Sequence, residues 1–195
     1  MPTFRHTNTH SGRQFRCPLV CNRCTALTSG GTRCRRRVCE GTTTCFQHRK
    51  RDLGVRVARS LVPGAGRGLF ATRRLPANTH ILTYDGEKIS DGQLNTRYGS
   101  DDERGHAPYA LKVTQPNPQY RGKSVDAACQ RGLGSLINGS RTAAQSNVKY
   151  SNRARQDGSI KIYTKTRAIQ PGQELFAWYG AGYWQSAAHS RHSTR

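Results

Sequence analysis

Residues 64–87 read GAGRGLFATRRLPANTHILTYDGE, residues 133–151 read LGSLINGSRTAAQSNVKYS, and residues 168–184 read AIQPGQELFAWYGAGYW. In the first stretch Gly66 and Gly68 flank Arg67 ahead of a β-branched and aromatic run, so the backbone there can approach a ligand with no side chain in the way. A Gly-x-Gly alone is more often a turn than a cofactor site. No strand-turn-helix unit surrounds this one, as a dinucleotide fingerprint would require. It is the three stretches together, in this order, that carry the reading.

Outward from them, residues 55–59, 68–72, 80–84, 109–113, 123–127 and 159–164 are short β-branched or aromatic runs bounded by Gly, Pro, Asn or Asp, which predicts strands. One helix is expected over residues 90–98, with Ser90 as its N-cap and Gly99 as its stop. No longer apolar period of 3.6 residues runs anywhere, and no internal repeat is present. The fold class expected is mostly β, a ribbon of several small sheets.

The chain has 195 residues, 34% of them hydrophobic, enough for one compact domain with a small appended module. Lys and Arg number 32 against 11 Asp and Glu, a formal charge of +21, which points to phosphate polymers or acidic surfaces as partners. The charge is densest in residues 1–60, where the only carboxylates are Glu40 and Asp52. That density implies non-specific nucleic-acid contact through the N-terminal basic region, without a base-reading fold. Acidic residues instead gather at Asp85, Glu87, Asp91, Asp101, Asp102 and Glu103, a window that is either a set of solvated loop charges or a wall that receives a basic ligand. Residues 1–16 and 185–195 are polar and unpatterned and are expected to be unfolded tails. No apolar run suits a signal peptide or a membrane span, so an intracellular, reducing compartment is expected.

Six of the seven cysteines lie between Cys17 and Cys45, with His48 just beyond, and in a reducing compartment such clustering points to metal. Cys21-x2-Cys24 and Cys45-x2-His48 each let one tight turn present two ligands to a tetrahedral ion. So polar a segment has no apolar core of its own, and a bound metal would supply its folding energy. The stretch resembles short zinc modules of the form Cys, Thr-x-x-Gly, Cys, then Cys-x2-His, which implies Cys24, Cys34, Cys45 and His48 as ligands of a structural zinc. Cys39 is the main rival, while Cys17 and Cys21 are either unused or part of a second, weaker site. Cys129 stands alone and reads as a small buried apolar residue.

The ordered motifs resemble the SET family of protein-lysine methyltransferases: the Gly-Arg-Gly-Leu-Phe-Ala start with Tyr84-x-Gly86, the Ile-Asn-x-Ser core with the later Asn147, and the closing Glu-Leu-x-x-x-Tyr-Gly. The resemblance implies a SET domain over residues 54–184 behind a zinc module over residues 17–50. It also implies a knot-like crossing of the Asn segment with the C-terminal Tyr segment, S-adenosylmethionine as cofactor, and a histone-like basic protein of the nucleus as substrate. Tyr179 is then the catalytic residue, also lining the donor site. Gly66, Arg67 and Gly68 would hold the donor through backbone atoms, and Asn138 and Gly139 would hold its amino-acid and adenine ends. Tyr109 would line the channel or donor site, or else is a core aromatic. Two features depart from the family. Gly139 and Arg141 replace the His and Cys of Asn-His-Ser-Cys, and the post-SET cysteine cluster is missing, which leaves Tyr183 and Trp184, a homodimer partner or the substrate to cover adenine. The alternative function is a non-enzymatic chromatin or nucleic-acid binding module with a degenerate SET domain. A zinc-finger DNA-binding regulator fits less well, because no base-reading helix follows the ligands.

Overall fold

The computed structural model describes residues 3–7, 14–18, 21–38, 43–99, 107, 109–113, 123–130, 132–151 and 160–181. Its centre is a sheet because of sequences such as IKIYT at Ile160–Thr164 (β13), where Ile160, Ile162 and Thr164 turn inward and Lys161 and Tyr163 are only half-buried, the period of two that a one-sided strand requires. This strand pairs antiparallel with His80–Tyr84 (β7) on one side and with Val148–Ser151 (β12) on the other. Beyond β12 lies the two-residue strand Phe176–Ala177 (β14), parallel both to β12 and to Asn138–Gly139 (β11). The sheet order is therefore β11-β14-β12-β13-β7. Although β11 and β12 are consecutive in sequence, the C-terminal strand enters between them, and this is the knot-like crossing that the motif order implies.

Two smaller sheets flank this one. Val55–Arg59 (β5) and Arg67–Ala71 (β6) form a hairpin. The second consists of Glu87–Ser90 (β8), Lys123–Asp126 (β10) and Ala110–Lys112 (β9), with β10 in the middle. Between β8 and β9 the helix Asp91–Tyr98 (α2) starts at Ser90, whose hydroxyl accepts from the Gln93 N–H while the Gln93 side chain accepts from the Ser90 N–H. This reciprocal cap satisfies two orphan donors. The helix ends at Gly99, whose φ of 99° favours glycine. Val55, Leu69, Ile137, Val148, Ile160, Ile162, Ile169 and Leu175 are fully buried and form one core between the sheets. Truncating any of them to alanine would cost about 2–5 kcal/mol.

The cysteine module holds a short ladder, Asn22–Arg23 (β3) against Arg37–Val38 (β4), and the single turn Phe46–His48 (α1), which widens into a π turn over Arg49–Leu53. Gly54, at φ 67°, turns the chain directly into β5. The Arg73 side chain packs so closely over Gly54 that a Cβ there would lie 2.5 Å from its Nε.

The N-terminus differs from expectation. Residues 1–16 do not simply form a tail: Thr3–Thr7 (β1) and Gln14–Pro18 (β2) make an antiparallel hairpin. Cys17 of β2 is disulfide-bonded to Cys129, so Cys129 does not stand alone and Cys17 is not a spare zinc ligand. Cys21 is also disulfide-bonded. Phe15 meets Tyr98 edge-on, with ring centroids 5.6 Å apart. Hydropathy patterning misses this docking because the Cys17–Cys129 bond and the single side chain of Phe15, set against Tyr98 and under the Arg97 guanidinium, fix it, not an apolar stripe. Residues 185–195 lie outside the described residues, as does Cys39. No helix among the described residues is long and apolar enough to cross a membrane.

Candidate functional site

The three motif segments meet at the carboxylate of Glu174, which is buried at 3% exposure. Its Oε1 accepts from Ser60 Oγ at 2.7 Å and from Asn138 Nδ2 at 3.0 Å, and its Oε2 accepts from the Leu61 N–H at 2.8 Å. The Asn138 amide also donates to the Arg67 carbonyl at 3.1 Å. Gly68 lies directly against this group, since a Cβ built on it would come within 2.0 Å of Glu174 Oε1. One acidic side chain thus ties the β5–β6 turn to β11 and to the segment that leads into β14.

Asn147 fixes that last segment. Its Nδ2 donates to the Glu174 carbonyl at 2.8 Å, and its Oδ1 accepts from the Phe176 N–H at 2.8 Å. The Ser140 N–H donates to the Ala177 carbonyl at 2.8 Å, so β14 is held on both sides. Two residues beyond β14, the Tyr179 hydroxyl donates to the Ile137 carbonyl. Tyr150 also bonds to Tyr179 through its side chain. Tyr84 stands edge-on to Tyr150, with centroids 5.8 Å apart, and its hydroxyl donates to the Tyr109 carbonyl at 2.8 Å. Burial pushes the Tyr84 phenol well above its usual range, with the nearby Tyr179 adding to the effect, and burial also raises Tyr150. Both rings therefore stay neutral, because the charged form would be desolvated.

Of the residues expected at the donor, the structure brings together Gly66, Arg67, Gly68, Asn138 and Gly139. Tyr109 meets Tyr84 through its carbonyl and is half-buried against the core, while Tyr183 and Trp184 lie outside the described residues. A donor fits this arrangement. Gly66 has φ 70° and a Cβ on it would meet nothing within 4 Å, so the backbone there is open to a ligand. β11 is the edge strand of its sheet, leaving the outer backbone groups of Asn138 and Gly139 available to an adenosyl moiety. The residue without an expected role is Glu174. Its sequence signals are its place at the head of the closing Glu-Leu-x-x-x-Tyr-Gly motif and a carboxylate set in the apolar run ELFAWY of a basic chain.

The acidic window is partly consumed inside the protein. Arg97 ion-pairs with Glu87 and with the buried Asp126, each at 2.6 Å, and Asp126 also accepts from the Tyr98 hydroxyl at 2.9 Å. Asp101, Asp102 and Glu103 lie outside the described residues.

In the N-terminal module, the ligand atoms of Cys24, Cys34, Cys45 and His48 all lie within 4.8 Å of one another and all four residues are buried. His48 Nδ1 is 3.5 Å from Cys24 Sγ and 3.3 Å from Cys45 Sγ. A tetrahedron with metal–sulfur bonds of about 2.3 Å and a metal–nitrogen bond of about 2.0 Å has edges of this size, so the donor set fits zinc.

Comparison with known proteins bears on the family and the fold. The family model described as the SET domain matches residues 66–180. No curated protein matches the sequence. Among solved structures, ctPRC2 in an autoinhibited conformation bound to S-adenosylmethionine aligns over 73% of this chain and 17% of that chain, with 23% identity and a TM-score of 0.53. Chaetomium thermophilum Polycomb Repressive Complex 2 bound to GSK126 aligns over 71% of this chain and 17% of that chain, with 22% identity and a TM-score of 0.54. The chain thus spans about a sixth of the length of these much larger chains, and what is shared is the fold. With its family model covering more than half of the residues and its three motifs meeting at Glu174 and Tyr179, the chain belongs to the SET-domain family.

Proposed function

We propose that the chain is an S-adenosylmethionine-dependent protein-lysine N-methyltransferase that acts on a histone or another basic nuclear protein. The observation that carries this reading is the Tyr179 hydroxyl held on the Ile137 carbonyl beside the Asn138–Gly139 edge. When bound, S-adenosylmethionine supplies a methyl carbon activated by a sulfonium. The chain's own task is to hold a neutral lysine amine in line with that carbon and to keep water out, which is chiefly positioning. The oxygens of Tyr179 and Ile137 are placed to orient the amine and to stabilise the positive charge it develops. Tyr84 and Tyr150, kept neutral by burial, would wall the amine path without competing for its proton. Asn138 and the backbone of Gly66, Arg67, Gly68 and Gly139 would hold the donor. Zinc on Cys24, Cys34, Cys45 and His48 would be structural, since four protein ligands leave no place for water or substrate. A histone-like substrate would set the site of action in the nucleus.

The test is to incubate the protein with labelled donor and nucleosomes or a cell extract, alongside Tyr179→Phe. The reading requires methyl transfer to protein lysine. It also requires that Tyr179→Phe keep donor binding by calorimetry while turnover falls at least about a hundredfold. Unchanged turnover in that variant would refute the role of Tyr179. Donor binding without any transfer would favour the non-enzymatic module, a reading that the replacement of the family histidine by Gly139 keeps in view.

A further inference from the structure

A groove of about 1000 Å³ runs between the cysteine module and the β5–β6 hairpin. Arg36, Arg37, Arg49 and Lys50 line it on the module side, and Arg56, Arg59 and Arg67 line it on the hairpin side. No acidic residue lines it among the described residues. Arg36, Arg37, Lys50, Arg56 and Arg59 form no ion pair with a carboxylate among the described residues either. Two of the small ladders even set like charges directly opposite each other, Arg59 against Arg67 in β5–β6 and Arg37 against Arg23 in β3–β4. Opposed cations on neighbouring strands destabilise the pairing, and an anion beside the groove-lining Arg37, Arg59 and Arg67 would reduce that cost.

We infer that this groove seats the phosphate backbone of a nucleic acid, with the zinc-type module and the hairpin as its two walls. Guanidinium forks match phosphate oxygens in pairs, and a chain of phosphates is the ligand class whose charge density suits a wall with six exposed cations, Arg49 being buried behind them. One feature favours nucleic acid over an acidic peptide: Phe46 is 63% exposed in the same wall, with the Arg36 guanidinium 4.9 Å from its ring centroid, an arrangement on which a base stacks. The groove carries no base-reading element, so its binding is insensitive to sequence. It borders the proposed donor site, with which it shares Gly66 and Arg67, and its phosphate binding would hold whether or not the chain is an enzyme.

The test is fluorescence anisotropy on the full chain, with a labelled duplex and a single strand of equal length, over a salt series. For duplex, log affinity should fall with log salt by about 0.9 per phosphate neutralised, and somewhat less for the single strand; the two arms distinguish the source of the phosphates. In Arg36→Gln/Arg56→Gln/Arg59→Gln, affinity should drop at least about tenfold and the slope should flatten by about 3, one for each phosphate no longer neutralised. A charge-matched control, Arg74→Gln/Lys149→Gln/Arg167→Gln, removes the same charge away from the groove and should stay within about twofold of the parent. Metal content and circular dichroism report whether each variant is folded. If the groove triple is not, Arg36→Gln and Arg56→Gln on opposite walls replace it, each flattening the slope by about 1. An equal loss in the control would overturn the inference. So would polyglutamate displacing the probe as well as unlabelled nucleic acid does.

Discussion

Gly68 and Glu174 offer a direct test of how the site is held together. An alanine at position 68 would put its Cβ 2.0 Å from Glu174 Oε1, 2.8 Å from its Cδ and 3.2 Å from Asn138 Nδ2. Ordinary contact begins near 3.4 Å, so the carboxylate would have to retreat by more than an ångström. It is held where it is by Ser60 Oγ, the Leu61 N–H and Asn138 Nδ2, at 2.7, 2.8 and 3.0 Å. Hydrogen bonds to a charged group contribute about 1.5–3 kcal/mol each. Losing or stretching three of them should therefore cost roughly 3 kcal/mol or more, a large share of the 5–15 kcal/mol typical of a domain. Urea unfolding followed by tryptophan fluorescence should show this loss for Gly68→Ala. Glu174→Ala alone should also destabilise, because three part-buried hydrogen bonds lose their acceptor. In the double variant the obstacle is gone, so its loss should fall short of the sum of the singles by at least about 1 kcal/mol. A cost for Gly68→Ala below about 1 kcal/mol, or strict additivity in the cycle, would refute the reasoning.

Three further outcomes are expected. Chelation, or Cys34→Ser/Cys45→Ser, should release one zinc per chain and unfold the module while the β domain keeps its cooperative transition; metal analysis that finds no zinc in the parent would defeat this. Stability should decline as pH rises above about 10: the raised phenols of Tyr84 and Tyr150 keep their protons in the native state after the unfolded chain has released them. Tyr150→Phe should make that decline shallower, and an unchanged slope would count against the burial argument. Breaking the Cys17–Cys129 bond, which spans a sequence separation of 112, should free the β1–β2 hairpin to proteolysis. In the chain-entropy model it should also lower stability by about 4–5 kcal/mol, and an unmoved urea midpoint would exclude that contribution.

What the sequence discloses, and what it hides, follows the range of the interactions. Strand β7 over residues 80–84 and helix α2 with its Ser90 cap are legible because alternation and a cap lie within a few residues of each other. The grouping of Cys24, Cys34, Cys45 and His48 is legible from the resemblance to short zinc modules; of the paired spacings only Cys45-x2-His48 supplies two of its members, since Cys21 is disulfide-bonded. The Cys17–Cys129 bond is not, since nothing local relates positions 112 apart, and the hairpin it anchors reads as a polar tail. β11 and β14 are two residues each, too short for any periodicity, yet their parallel pairing makes the crossing on which the site depends. Only the order of the motifs points to it. Gly68 lies between these cases. The Gly-x-Gly spacing says that something approaches the backbone closely, which is correct in kind, because glycine is needed where a Cβ would collide. The group that approaches is Glu174, 106 residues further along a chain with only 11 carboxylates. Spacing registers the missing side chain but not the identity of what fills its place. At this site the filler is a buried charge whose three donors come from positions 60, 61 and 138. The proposed donor cradle is therefore shaped by a long-range hydrogen-bond network at least as much as by the local turn, and substitutions at Ser60, which lies in none of the three motif stretches, should disturb it too.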